Sequence, residues 1–161
     1  MAYQVYTTEG IILAKKDFGG AERLLFIYTQ EFGMIKAVAR GVRYIKSKLR
    51  PNLDLFAYNN FSLISIKDGW KITDVSEISK FKNFKNLNSF ASIANFLIRM
   101  IKGEEKNDFI WRELKNLFLT GGSEINFLTK VLHNFGYLSE VPKSKKLLVT
   151  AINRAIKESM L

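Results

Sequence analysis

Between Lys36 and Arg50 the chain carries six cations and no acid: Lys36, Arg40, Arg43, Lys46, Lys48 and Arg50, set in the tract MIKAVARGVRYIKSKLRP. Uncompensated cations held on fixed elements repel one another, and a polyanion relieves that repulsion; nucleic acid is the commonest polyanion in a cell. The chemistry these residues suit is phosphate contact with release of counterions. Tyr44, among them, offers a ring that can either stack on an unpaired base or pack over the loop itself. Such contacts read charge and ring faces rather than base edges, so binding would tolerate sequence. A protein that neutralises two strands while leaving their base edges free would also let complementary strands pair.

Net charge by itself is weak support, because the formal +10 of this 161-residue chain comes mostly from lysine, in a composition that nucleotide bias can produce. Segregation is the stronger sign. Three of the seven arginines, Arg40, Arg43 and Arg50, fall within eleven residues, and no Asp or Glu occurs from Phe32 to Leu53. The competing reading is a merely solvated charged face.

Catalytic patterns are missing. The sequence has no nucleophile elbow, no phosphate loop ending in Gly-Lys-Ser/Thr, no paired-histidine motif and no tight acidic cluster for a divalent metal. Asp68, Asp74 and Glu77 come nearest and suit turn and strand-face solvation, while the lone His133, on a helix, suits a surface or a satisfied structural residue. With no cysteine and one histidine, disulfides, thiolate metal sites and multi-histidine zinc sites are excluded. Neither an enzyme nor a cofactor is expected. The start, MAYQVYTTEG, lacks the signature of a signal peptide, and no apolar run approaches the roughly 18 residues of a membrane span, so a soluble cytoplasmic protein is expected.

The elements that must position these residues divide near residue 80. Before it lie five β-prone segments, YQVYTTEGIILAKK, RLLFIYT, MIKAVAR, LDLFAYNNFSLISI and WKITDVSEI, punctuated by Gly19, Gly20, Gly33 and the hairpin pair Asp68-Gly69. Five short strands with a longer connection after the third predict a small OB-type barrel, with an SH3-like barrel as the alternative pattern. The basic tract is then a loop on a β scaffold. After residue 80 the period becomes helical. Phe90, Ile93, Ala94, Leu97 and Ile101 form one stripe; Ile110, Leu114, Leu117 and Phe118 form a second, capped by Asn107 or Asp108 and stopped at Gly121-Gly122. Leu128, Val131, Leu132 and Phe135 form a third, after Ser123, and KKLLVTAINRAIKES a fourth, after Pro142. The fold class is α+β: an OB barrel over 1–79 and a small α-helical domain over 80–161.

In order and spacing these landmarks resemble the amino-terminal part of the RecO recombination-mediator family. They comprise Gly10 opening a strand, Glu22 before an apolar strand, the turn Thr29-Gln-Glu-Phe-Gly33, Ala39-Arg40-Gly41, Lys46-Ser47-Lys48-Leu49-Arg50, then Leu53 and Phe56, with VLHNFGYLSEVP at 131–142 further on. The resemblance implies an OB fold followed by helices, no catalytic site, binding to single- and double-stranded DNA, and strand annealing in DNA repair. It also implies single-strand-binding protein, RecR and the RecA recombinase as partners, in the bacterial cytoplasm at the nucleoid. Its basic DNA-contacting loop falls on Arg40, Arg43, Lys46, Lys48 and Arg50; Lys15, Lys16, Lys36 and Lys71 extend the site if their strands face the same groove. Many members carry a four-cysteine zinc site after the Gly-Tyr-Leu stretch, but here Gly136-Tyr137-Leu138 leads to Ser139-Glu140-Val141-Pro142.

Two further expectations remain. An RNA-binding OB protein acting on structured RNA or the ribosome is the alternative function, distinguished by 2′-hydroxyl preference. In the helical half, Phe96, Ile98, Met100, Phe109 and Trp111 exceed one narrow stripe and are expected either to form a cation-rimmed groove for an acidic peptide ending in apolar residues, or to be closed over by an interface between the two halves.

Overall fold

The computed structural model describes residues 3–81 and 87–159. Five strands, β1 (Val5–Phe18), β2 (Glu22–Thr29), β3 (Gly33–Ala39), β4 (Ala57–Ile66) and β5 (Gly69–Lys80), precede four helices, α1 (Leu87–Met100), α2 (Asp108–Thr120), α3 (Glu124–Asn134) and α4 (Lys145–Ser159). The strands close a barrel in the order β1-β2-β3-β5-β4. All neighbours are antiparallel except β3 and β5, whose short parallel pairing, Ala37 with Trp70 and Val38 with Lys71, closes the circle. Because the connection from β3 to β4 crosses the place that β5 takes between them, the barrel is a Greek key of the OB type. Residues 82–86, just beyond the expected division at 79/80, lie outside the described residues, as do 1–2 and 160–161.

The barrel interior is filled by one face of each strand, with Ile12, Leu25, Ile27, Ile35, Ala37, Phe61, Leu63 and Ile72 buried together. The outer face of the same strands is apolar at one end: Ile11, Leu13, Tyr28 and Met34 share a second core with all four helices. This explains why β2, ERLLFIYT, does not alternate, for a strand covered on both faces needs apolar residues at successive positions. Phe56 joins the two halves. It takes a left-handed conformation (φ 62°), donates its backbone N–H to Ile12 (2.9 Å), and places its ring 4.9 Å from that of Phe90, with Phe81 and Phe118 completing the aromatic cluster.

The helix ends follow the sequence signals. Asn107 caps α2 by accepting from the Ile110 N–H (3.0 Å), and Gly121, at φ 68°, ends it. Ile101, expected as the last stripe position of α1, lies just past the helix end and still donates its N–H to Leu97. The surplus apolar residues of the helical half are largely taken up by the core: Phe96 and Trp111 are buried, and Ile98, Met100 and Phe109 pack partly buried against it. Of the two expectations stated for them, closure over the interface between the halves is the one realised for Trp111, whose ring stands 6.0 Å from Tyr58 of β4.

Candidate nucleic-acid interface

Directly opposed residues of neighbouring strands point to the same side of a sheet. The register therefore assembles two rows on the outer face of β1, β2, β3 and β5. One row is Lys16, Leu24, Val38 and Lys71; the next is Ala14, Phe26 and Lys36. Leu24, Phe26 and Val38 are half-buried while Lys16 and Lys36 are exposed, and the Lys36 ammonium lies 5.8 Å from the centre of the Phe26 ring. Three cations thus flank an apolar and aromatic strip, a combination of charge and ring surface chemically suited to the phosphates and bases of a single strand. Lys15 does not belong. It shares the side of interior Leu25 and leaves the barrel end to pair with Asp54 (3.7 Å).

The loop from Arg40 to Pro51 rises beside this face. Val42 and Leu53 are buried and Leu49 half-buried against the barrel core, so apolar residues pin both limbs of the loop while polar ones occupy its apex. The Arg43 N–H donates to the Ala21 carbonyl (3.4 Å) and its guanidinium to the Gly19 carbonyl (3.5 Å), tying the loop to the β1–β2 turn. At the other limb, fully buried Asn59 donates from Nδ2 to the Asn52 carbonyl (2.6 Å), and Asn52 donates to the Val75 carbonyl (3.4 Å). Asn59 carries no functional motif in the sequence, and as one of two adjacent amides in a strand that also holds Ser62 and Ser65 nothing there marks its role.

The six cations of the tract are not equivalent, although the acid-free sequence window makes them look so. Arg40 lies 3.5 Å from Glu22, and Arg43 lies 4.0 Å from Asp17, which Arg23 also grips at 2.6 Å. Those acids come from the β1–β2 hairpin, some twenty residues upstream. Asp17 is held below the ordinary carboxylate range, first by the Arg23 hydrogen bond and then by the Arg23, Arg43 and Lys15 charges. Lys46, Lys48 and Arg50 have no ion-pair or hydrogen-bond partner for their side chains among the described residues. Tyr44 is exposed, its ring edge lying beside Gly41.

The cation track ends where the barrel meets the helices. A cavity of about 520 Å³ between α1, α3 and α4 holds Phe96, Arg99, Leu128 and Ile152, with Glu124 also on its wall, and one of about 440 Å³ beside the sheet face is lined by Phe26, Met34, Lys36, Lys102, Asp68 and Glu104. Two acids facing two lysines make the second a neutral stop to a basic surface. Glu104 is fixed there by the Trp70 indole N–H (2.9 Å). Behind the face, a polar joint fastens α2 to the barrel: the Tyr58 hydroxyl donates to Glu9, which also accepts from Lys115 (3.2 Å). The Tyr58 hydrogen bond first, and Lys115 with it, keep Glu9 below its usual value, while burial and Glu9 push the Tyr58 phenol up.

Among the described residues no group of three or more His, Cys, Asp or Glu side chains is placed to hold a metal ion. Asp68, Asp74 and Glu77 are exposed on the β4–β5 hairpin, Glu77 paired with Lys80 (3.3 Å), and His133 is exposed on α3. No helix among the described residues is long and apolar enough to cross a membrane.

Comparison with known proteins adds what geometry alone does not. The sequence model of the family described as "Recombination protein O N terminal" matches residues 1–84, which take in the whole barrel and a few residues beyond β5. A protein named DNA repair protein RecO from Synechocystis sp. is 41% identical over 98 residues, 61% of this chain and 36% of that protein. Proteins of the same name from Desulfitobacterium hafniense and Alkaliphilus metalliredigens are 37% identical over 59 residues and 27% identical over 95 residues, covering 22% and 39% of their lengths. The matched stretch thus spans well under half of each of these relatives. Since the family's amino-terminal model covers more than half of the 161 residues, and an OB barrel is what those residues build, the chain belongs to the RecO family.

Proposed function

We propose that the chain is a non-catalytic DNA-binding recombination mediator that binds single- and double-stranded DNA, anneals complementary strands and helps load RecA on DNA coated with single-strand-binding protein. The observation that carries this reading is a loop whose Lys46, Lys48 and Arg50 lack acidic partners among the described residues, standing beside a sheet face that gathers Lys16, Lys36 and Lys71. Membership in a family whose relatives are named for DNA repair supports it. In this reading Lys36, Lys46, Lys48 and Arg50 contact phosphates directly and Tyr44 stacks on a base. Arg40 and Arg43 add charge while their pairs with Glu22 and Asp17 set the position of the loop. Phosphate-directed contacts leave base edges free, which is the condition for annealing.

Single-strand-binding protein, RecR and RecA are the proposed partners. For the tail of single-strand-binding protein, the proposed seat is the cavity between α1, α3 and α4, where Phe96, Leu128 and Ile152 would bury the apolar end and Arg99 would meet a carboxylate, although Glu124 on the same wall offsets that charge. A strand-annealing assay on bare DNA and on DNA coated with single-strand-binding protein tests the reading. Annealing in both cases supports it; no acceleration in either, or preference for structured RNA in direct competition, contradicts it.

A further inference from the structure

At the apex of the basic loop the Ser47 N–H donates to the Tyr44 carbonyl (3.0 Å), so residues 44–47 form a tight turn with Ile45 and Lys46 at its centre. Central turn positions are normally filled by Pro, Gly, Asn, Asp or Ser, for reasons of backbone conformation or local hydrogen bonding. Ile45 offers neither. It does not pack either, being 92% exposed, more than any other large apolar residue in the described structure. The loop has ample apolar anchors without it, since Val42, Leu49 and Leu53 face the barrel core. Single exposed aliphatic side chains are ordinary on protein surfaces; what sets Ile45 apart is its place at the apex of a turn inside a tract of cations.

The surroundings point to a ligand. Ile45 stands among Arg43, Lys46, Lys48 and Arg50, with no acid nearer in sequence than Glu31 and Asp54. An apolar protein partner would gain little from four adjacent cations. A nucleic acid strand has phosphates for the cations and, between neighbouring bases, an apolar slot for an aliphatic wedge; entry there costs the stacking of one step, least where no partner strand holds the bases in register. We propose that Ile45 is such a wedge, entering between two neighbouring bases of single-stranded DNA held along the loop, with the Tyr44 ring beside it. This rests on the DNA-binding reading above and adds to it a specific contact and a consequence: the bound strand is unstacked at the loop apex.

The test uses the full 161-residue chain and a single-stranded oligonucleotide carrying adjacent 2-aminopurines, whose fluorescence rises when stacking is broken. Wild-type protein should raise the signal. Ile45→Ser should abolish the rise and weaken binding by about tenfold, the loss expected when a buried isoleucine is removed, with the salt dependence of binding unchanged because no phosphate contact is touched. Ile45→Leu should restore both. An Ile45→Ser protein with wild-type fluorescence and affinity overturns the wedge, and leaves the DNA-binding reading intact if reversing Lys46, Lys48 and Arg50 to Glu still abolishes binding. If that reversal leaves binding unaltered, the loop is not the DNA site and both readings fall.

Discussion

Replacing Lys46, Lys48 and Arg50 together by Gln should change the salt dependence of DNA binding by an amount that the structure sets. Each phosphate contact contributes about 0.7 to the slope of log affinity against log salt on single strands and about 0.9 on duplex. Three cations with no partner among the described residues are removed, so the slope should shrink by about 2 on single-stranded DNA and by roughly 2.7 on duplex. The double change Arg40→Gln and Arg43→Gln removes cations already lying 3.5 and 4.0 Å from Glu22 and Asp17. Affinity should fall as the loop loses its hold on the β1–β2 turn, but the slope should shift by less than about one unit, since fewer counterions are released by charges already neutralised within the protein. Fluorescence anisotropy between about 50 and 200 mM salt measures both. All five side chains are exposed, and surface changes of this kind alter stability by only about 0.5 kcal/mol, so thermal unfolding should stay near wild type. A triple variant with an unaltered slope, or a double variant with the larger change, would refute the division of this tract into free and tied cations.

Two other expectations concern the joint between barrel and helices. Glu9, held below its ordinary 4.5 first by the Tyr58 hydroxyl and also by Lys115, contributes stability that is present above the unfolded value and lost as pH falls through the lower folded one; wild type should therefore lose stability on acidification more steeply than Glu9→Gln, and parallel curves of melting temperature against pH would contradict this. Gly33→Ala should destabilise, because φ is 64° there and an added Cβ would run into the Glu105 carbonyl: the backbone alone costs about 1–2 kcal/mol, a fall in Tm of roughly 2–8 °C, and an unchanged Tm would contradict both the left-handed turn at Gly33 and the close approach of Glu105.

The barrel and the helices were legible because their signals are local. Gly33 and Gly69 take positive φ where the strands turn, Asn107 caps and Gly121 ends α2, and the helical stripes point to a core, except that Phe135, expected on the third, lies at the C-cap of α3 and is exposed. What a linear reading missed was contact across the chain. The acids that tie Arg40 and Arg43 lie on the β1–β2 hairpin, so no window around the loop contains them. Whether Lys15 or Lys16 joins the sheet-face row depends on a register shift between Ile12 and Ala14, which leaves no mark in the alternation of residues. Asn59 looked like an ordinary strand position, and its part in fixing the loop appears only when β4 is seen beside Asn52. Trp111, read as surplus on its helix, is needed because Tyr58 faces it from the barrel.

Lysine acetylation mapped by mass spectrometry, with and without single-stranded DNA, tests the proposed interface most directly. DNA should protect Lys46 and Lys48 on the loop and Lys16, Lys36 and Lys71 on the sheet face, while Lys143, Lys145 and Lys146, exposed at the start of α4, react as in the free protein. Protection of the α4 lysines with the loop and sheet face left reactive would place the DNA elsewhere and contradict the account.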